Sequence, residues 1–551
     1  MTKSSEKTIR DTPQEHTHAL PPAHAAHAPT LLDLTKQLES EEETIRQGGP
    51  ATGHARQAKL NRLTARQRLA HLFDANAHPL ELGLWSAWDM YPQAASSPDA
   101  GPNAVPAAGV IVQIGPVHGR PVIAIANDAT VKAGAFFPAT CKKVLRAQKI
   151  AMRCNLPLVY LVDSAGVYLP MQDEIFPDED DFGRIFRNNA VLSAAGVSQF
   201  AAVMGNCVAG GAYLPVLSDK LVITADSQLY LAGPALVKAA IGQTVDAADL
   251  GGAKMHATIS GTADFLEPND TAALHRLRAL IDTLAASAPG GAAGKPPARD
   301  PRTVYDIVSA DGRHEYDAHD LLAAVVDKDS MQEFKSDFGK TLLCTYAAIA
   351  GHKVAVVASQ RLHAKTPAGE MQIGGVIYGD AADKAARFVM DASQSGLPLV
   401  FFQDVQGFMV GRDSEQAGII RRGAKLVNAV SNATVPKITV IVGGSFGAGN
   451  YALCGKAFDP VFIFAWPGAK YAVMGAAQAT HTLQQLGHRG KDGDDVGQDY
   501  AEQTDIRYGA ARGWVDAIIA PDKTREVLAT TLALATRPPP PGGFRAGVFQ
   551  V

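Results

Sequence analysis

Apolar runs and helically spaced stretches alternate along this chain in an order that occurs twice. Gly119-Arg120-Pro121-Val122-Ile123-Ala124-Ile125-Ala126 reads as a turn entering a buried strand, and Gly351-His352-Lys353-Val354-Ala355-Val356-Val357-Ala358 repeats it. A helical stretch follows in each case, Lys142 to Arg153 and Asp383 to Ser393. Next come Leu156-Pro157-Leu158-Val159-Tyr160-Leu161-Val162-Asp163-Ser164-Ala165-Gly166 and its counterpart Leu397-Pro398-Leu399-Val400-Phe401-Phe402-Gln403-Asp404-Val405-Gln406-Gly407. The third match sets Val203-Met204-Gly205-Asn206-Cys207-Val208-Ala209-Gly210-Gly211-Ala212-Tyr213 against Ile441-Val442-Gly443-Gly444-Ser445-Phe446-Gly447-Ala448-Gly449-Asn450-Tyr451. The offsets are 232, 241 and 238 residues, so order is kept and only loop lengths differ: this is an internal repeat. Each half is α/β, and its continuous apolar strands imply parallel pairing, covered on both faces or wound as a superhelix. The Asp-x-x-Gly and Ala-Gly-Gly-Ala-Tyr segments then fall at the carboxyl ends of strands, where such architectures carry their active-site loops.

From Leu31 to about Asp74 the spacing predicts helix, with Leu60, Leu63, Leu69 and Leu72 keeping the apolar face. Residues 1–29 are rich in Pro, Ala and His, bury almost nothing and read as a disordered leader. His16, His18, His24 and His27 are irregularly spaced within it, which favours a solvated tail over a metal-binding tract. A Pro/Gly/Ala-rich break at 285–302 divides the rest. The expected organisation is leader 1–29, N-terminal domain 30–288, linker 289–302 and C-terminal domain 303–551.

Charge and composition narrow the classes. With 51 basic against 55 acidic residues, neither gathered in a long stretch, there is no nucleic-acid-binding stripe or polybasic membrane anchor. No apolar run reaches the length of a membrane span, and the first thirty residues lack a signal-peptide core. The five cysteines (141, 154, 207, 344, 454) are scattered and never in a C-x-x-C pair, which points to a reducing cytoplasm and away from a disulfide framework or zinc site.

The Gly-rich turns carry the candidate chemistry. A strand that ends in glycines and opens a helix leaves backbone N–H groups without intrahelical partners, and glycine lets a ligand come close to them. That suits holding an oxyanion, where one donor contributes about 3–4 kcal/mol to a transition state. Tight helix-against-strand packing is the plainer role for a single Gly pair, but two equivalent turns favour paired oxyanion sites. Gly443-Gly444-Ser445-Phe446-Gly447 also fits a hydrolase nucleophile elbow, with Asp459, His481 and His488 downstream. The repeat sets Cys207 opposite Ser445 in a segment that is no elbow, and a hydrolase leaves the whole first half unexplained. Asp163 and Asp404 are candidate general bases, although Asp in a strand-ending turn more often serves the turn. His256, His314 and His352 stand alone, and no Walker loop, H-E-x-x-H or Rossmann fingerprint is present.

At these turns and the strings around them, the chain resembles the carboxyltransferase (β) subunits of biotin-dependent acyl-CoA carboxylases, nearest the methylcrotonyl-CoA and geranyl-CoA branch. The matching strings are Gln172-Asp173-Glu174-Ile175-Phe176-Pro177-Asp178, Asp181-Phe182-Gly183-Arg184-Ile185-Phe186 and Leu231-Ala232-Gly233-Pro234-Ala235-Leu236-Val237-Lys238-Ala239-Ala240. Asp249-Leu250-Gly251-Gly252-Ala253, Gly407-Phe408-Met409-Val410-Gly411-Arg412 and Gly447-Ala448-Gly449-Asn450-Tyr451 extend the likeness, which runs from about residue 31 to 535.

The resemblance implies two tandem crotonase-like domains, each a ββα superhelix. It also implies a reaction in which carboxybiotin, carried on a partner protein, releases CO2 beside an acyl-CoA thioester. The biotin N1′ then takes the acidic proton and the enolate attacks CO2, so the protein contributes positioning and electrostatics. By carry-over, backbone amides at Gly210 and Gly211 hold the enolate oxygen, and those at Ala448 and Gly449 hold the ureido oxygen of biotin. Ala209, Ala212, Gly166, Gly134, Phe408, Gly407 and Gly447 are the implied substrate-binding positions, and no metal is implied. The two sites of the family meet across a subunit interface, which implies a homo-oligomer, a dimer at minimum and a hexamer by the family pattern. The string Ala253-Lys254-Met255 lacks the Met that precedes a biotinylated lysine, and no ATP-grasp region is evident. A separate biotin carboxylase and carboxyl carrier subunit is therefore the expected partner. The chain departs from the branch at Ala165-Gly166, where Gly-Gly is usual, and at 361–375, which extends a shorter loop and either lines a pocket or lies on the surface. It also departs after Met474, where the tail is shortened and Gly487 to Asp495 read as a flexible loop. A decarboxylase subunit of the glutaconyl-CoA type is the alternative within the same chemistry.

Overall fold

The computed structural model describes residues 29–94, 103–176, 178–284, 294–312, 314–366, 369–475, 479–480, 482, 496–540 and 548. The leader up to residue 28, part of the linker and the 487–495 loop lie outside the described residues. The first helical region holds three helices, α1 (Leu31–Arg46), α2 (Ala51–Lys59) and α3 (Ala65–Leu72). Thr30 and Asp33 close a capping box on α1, and Thr64 and Gln67 do the same for α3. Between α1 and α2 the chain turns at Gly48, with φ +76°, and Gly49, where a Cβ would stand 2.1 Å from the Thr130 carbonyl oxygen. Only glycine fits that corner, and Pro50 then stops any continuation of α1.

The first half builds one sheet from β1 (Leu80–Leu82), β2 (Val110–Val117), β3 (Arg120–Asn127), β4 (Leu158–Ser164), β5 (Gln199–Val208), β6 (Lys220–Thr224), β7 (Gln228–Tyr230) and β8 (Phe265–Glu267). Its order is β1-β2-β3-β4-β5-β6-β8, with β7 beside β5. In the second half come β9 (Gln332–Glu333), β10 (Leu342–Ile349), β11 (His352–Ser359), β12 (Ala364–Lys365), β13 (Met371–Gln372), β14 (Val376–Ile377) and β15 (Leu399–Val405). They are followed by β16 (Gly407–Phe408), β17 (Lys437–Phe446), β18 (Phe462–Ala465), β19 (Lys470–Ala472) and β20 (Ala517–Ile518). The second sheet runs β20-β18-β17-β15-β11-β10-β9, with β19 beside β17, so it repeats the plan of the first. The strands read from the sequence pair in parallel as expected (β3-β4-β5 and β11-β15-β17). Each half also carries an antiparallel hairpin, β2–β3 and β10–β11, beside the parallel strands.

All seven residues of β4 and of β15 are buried, because helices cover both faces. Leu158, Tyr160 and Val162 meet α4 (Pro138–Cys154) and α5 (Phe182–Ala195), while Val159 and Leu161 meet α3 and α6 (Asp270–Asp282). In the second half Leu399 and Phe401 face α7 (Gly379–Gln394) and α8 (Ile419–Asn432). The inner faces of the two sheets share one core, in which Val144 and Ile150 of α4 join Val440, Phe464 and the C-terminal helix residues Leu528 and Leu532. α1 crosses to the second half: Leu38 and Ile45 pack with Ile441, Ile463 and Ile506.

Candidate active site

The end of β4 and the end of β5 form the first cluster. After β5 the chain makes a tight turn, Ala209–Ala212, and opens the short helix Tyr213–Val216. A Cβ added to Gly211 would meet only the Gly166 Cα, at 3.9 Å, so this turn faces the Asp163–Gly166 strand end across open, glycine-lined space. Gly134 (φ +71°) lies against the same strand end, with room for no side chain: a Cβ there would stand 2.1 Å from the Asp163 carbonyl oxygen. The Ser164 hydroxyl donates to the Gly134 carbonyl at 2.7 Å and accepts the Gly166 N–H at 3.1 Å. The fold thus brings together Gly134, Gly166, Ala209, Gly210, Gly211 and Ala212, which the sequence had singled out.

The second cluster repeats the arrangement. β17 ends at Phe446, and α9 (Gly447–Ala452) begins at once, so the first N–H groups of Gly447, Ala448 and Gly449 have no acceptor within the helix. A Cβ on Gly449 would stand 2.7 Å from Val405 Cγ2 and 3.2 Å from the Gly407 Cα, whereas Gly407 itself has nothing within 4 Å of a Cβ. Gly449 therefore faces Gly407 as Gly211 faces Gly166. Gly407 and Phe408 pair with Val376 and Ile377 as a short parallel ladder, and the Phe408 ring rests against Gly423. Each cluster is built from its own half.

Ser445 does not serve as a nucleophile elbow. Its hydroxyl is buried, donates to Gln403 Oε1 at 2.5 Å and accepts from Asn450 Nδ2 at 2.8 Å, so two amides lock it in place. Asp459 is spent on a surface pair with Lys149, and His481 and His488 lie outside the described residues. Nor do Asp163 and Asp404 act in their own turns: both carboxylates reach into the neighbouring strand. Burial pushes the Asp163 carboxyl up, and Arg68 and Arg62 oppose that shift. The sequence reading missed the partners of these two groups (Arg62 and Arg68 for Asp163, Tyr316 and Arg361 for Asp404), although the repeat had aligned both aspartates and the facing Gly205 and Gly443.

The excursion at 361–375 divides into two parts. Arg361 is buried beside Asp404, and Gly375 accepts the Gln406 N–H at 2.8 Å, so both ends of the loop are fixed at the end of β15. The intervening β12–β13 hairpin exposes Met371 and Ile373. Among the histidines, His256 is structural, with Nε2 against the Leu229 carbonyl and Nδ1 against Ser260.

Comparison with known proteins agrees with this geometry. The carboxyl transferase domain family matches residues 56–540. The β1 subunit of a biotin-dependent 3-methylcrotonyl-coenzyme A carboxylase from Mycobacterium tuberculosis is 40% identical, over 93% of this chain and 97% of its own. The mitochondrial methylcrotonoyl-CoA carboxylase β chain of Arabidopsis thaliana is 37% identical, over 96% of this chain and 90% of its own. The crystal structure of the P. aeruginosa geranyl-CoA carboxylase β subunit superposes with a TM-score of 0.83 at 32% identity, covering 97% of this chain and 100% of that one. The chain belongs to the carboxyl transferase family and has the two-domain crotonase-like fold. Within that class it is a carboxyltransferase subunit of a biotin-dependent acyl-CoA carboxylase, close to the methylcrotonyl- and geranyl-CoA enzymes.

Proposed function

We propose that this chain moves a carboxyl group from carboxybiotin to a methylcrotonyl-CoA-like acyl-CoA, holding one oxyanion in each glycine-lined cleft. The observation that carries this reading is the equivalence of the clefts: Gly211 stands against Gly166 and Gly449 against Gly407, at matching strand ends of two matching sheets. Amides at Gly210 and Gly211 hold the thioester oxygen as it gains charge, with Gly134, Gly166, Ala209 and Ala212 shaping the acyl side. Amides at Ala448 and Gly449 hold the ureido oxygen of biotin, and the open space at Gly407, with Phe408 and Gly447 beside it, fits that ring. Bound carboxybiotin supplies both the CO2 and the base. The chain supplies only fixed dipoles, which need no reorganisation during the reaction.

A biotin carboxylase and carrier subunit would deliver the carboxyl group, and a second copy of this chain would complete the site. What supports a homo-oligomer is exposed apolar surface, part of it beside the second Gly-rich turn. The helix Pro234–Ile241 has no buried residue, with Ile241 at 72% exposure, and Val473 beside Gly447 is 74% exposed. Such surface on a monomer marks an interaction face.

The test is carboxyl transfer run backwards by the full chain, with biocytin as acceptor and a panel of carboxylated acyl-CoAs as donors. Transfer is expected from a branched, methylcrotonyl-type donor, and the preferred donor names the acyl group. Gly211→Val should keep the fold, since a Cβ there meets open space, and lower transfer by on the order of 10²-fold by pushing the substrate off the turn amides, which it leaves in place. A wild-type chain inactive with every donor, or an unimpaired Gly211→Val, refutes the reading.

A further inference from the structure

Two irregularities occupy equivalent places in the two sheets. In β5 the residues Met204, Gly205 and Asn206 stand opposite the single residue Asp163, between the pairs Val162–Val203 and Ser164–Cys207. In β17 the residues Val442, Gly443 and Gly444 stand opposite Asp404, between Gln403–Ile441 and Val405–Ser445. A regular ladder would set one residue there, so each strand is bulged by two.

The aspartate fills the bulge in both halves. Asp163 Oδ1 accepts the Asn206 N–H at 3.2 Å, and Asp404 Oδ1 accepts the Gly444 N–H at 2.8 Å. A Cβ at Gly205 or Gly443 would stand 2.1 or 2.4 Å from these carboxylates, so both positions need glycine. Arg68 ties the first bulge from behind. Its Nη2 donates to the Met204 carbonyl at 2.7 Å and to Asp163 Oδ2 at 3.3 Å, while Nε donates to Asp270 at 2.8 Å. At the second bulge the Tyr316 hydroxyl donates to Asp404 Oδ2 at 3.1 Å, with Arg361 Nε 3.4 Å from the same oxygen. The Ser359 hydroxyl accepts the Asp404 N–H at 3.2 Å. Both aspartates are only 2% exposed, so neither carboxylate is open to a substrate.

The bulges lie immediately before the turns. Two residues, Cys207 and Val208, separate the first bulge from Ala209–Ala212, and two, Ser445 and Phe446, separate the second from Gly447. The offset at each bulge therefore fixes where the strand end delivers its turn. We propose that Asp163 and Asp404 are positioning residues, one per cleft, each holding the bulge that aims its Gly-rich turn at the acyl or the biotin side. This rests on the reading of the turns as oxyanion sites given above.

The test uses the full chain in the reverse transfer assay, reading both KM values. Asp404→Asn keeps the size of the side chain but loses its charge. It is expected to raise KM for biocytin roughly tenfold, below the ~10²-fold that an ångström of misplacement costs, and to leave KM for the acyl-CoA donor unchanged. Asp163→Asn is expected to do the reverse. If either variant fails to fold, Tyr316→Phe and Arg62→Gln, which remove one peripheral partner of each carboxylate, should give smaller shifts of the same selectivity. A structural role alone would lower the melting temperature and move both KM values together or neither; that result overturns the assignment. A wild-type chain without transfer overturns the functional reading and this inference together, whereas transfer with unselective variants overturns only this one.

Discussion

At the residue scale the two clefts look alike but tolerate change differently. Gly211 has open space where a Cβ would go, while Gly449 is packed against Val405 at 2.7 Å. Gly449→Ala must push the Val405 side chain out of a buried site, and overpacking of that kind costs about 1–3 kcal/mol. Gly211→Ala should leave stability within about 0.5 kcal/mol of wild type. Thermal melting of the two variants separates them: a drop for Gly449→Ala and none for Gly211→Ala. The asymmetry means that lost activity in Gly449 variants has to be read beside stability, whereas Gly211 variants report on the cleft directly.

At the scale of elements, the corner between α1 and α2 shows how a contact far away in sequence sets a local break. Gly49→Ala would drive a Cβ into the Thr130 backbone, 2.1 Å from its oxygen, and neither side can yield as a flexible side chain would. Gly119, at the β2–β3 turn, has φ +71° and nothing nearby, so Gly119→Ala costs only the left-handed backbone penalty of about 1–2 kcal/mol. Urea midpoints should fall further for Gly49→Ala than for Gly119→Ala. The same contrast explains what could be read from the sequence. β3, β4, β5 and their counterparts were legible because a fully buried parallel strand is a continuous apolar run, and the repeat supplied each one twice. The 31–74 region was legible as helical from its leucines, but its breaks were not, because the Thr130 contact that enforces the first one is 81 residues away. The two Gly-rich turns were legible as a repeated pair. The charged groups behind them were not, because hydropathy does not mark which arginine turns inward: Arg68 meets Asp163 across 95 residues and Asp270 across 202.

At the scale of the whole molecule, one carboxylate joins the halves. Asp516 in the second half takes Arg146 of α4 at 2.8 and 2.7 Å, Lys456 at 2.9 Å and the Ile463 N–H at 2.9 Å. Burial alone would raise its pKa, but Arg146 and Lys456 hold it well below the ordinary value of 3.8. A carboxylate depressed in the folded state contributes stability that is fully present above the unfolded pKa and fades as pH falls towards the folded one. Asp516→Asn leaves two cations facing a neutral amide and should cost on the order of 3–5 kcal/mol near neutrality. The difference from wild type should shrink below about pH 4 in a series of denaturation curves, and a gap that persisted unchanged to pH 2 would refute the ion pair as its source.

The crossing of α1 has a consequence for synthesis. Leu38 and Ile45 find their packing partners in Ile441, Ile463 and Ile506, and Glu41 meets Arg507 across 466 residues. At ~5–20 residues per second, the ribosome needs roughly 25–90 s between making that helix and making the surface that receives it. For that interval the apolar stripe on α1 lacks its second-half cover and has only Leu84, Trp85 and Ala107 of the first half against it. That helix is fastened only when the second half arrives, so a nascent chain halted after the first sheet would be left with a sticky flank where the finished molecule has a seam.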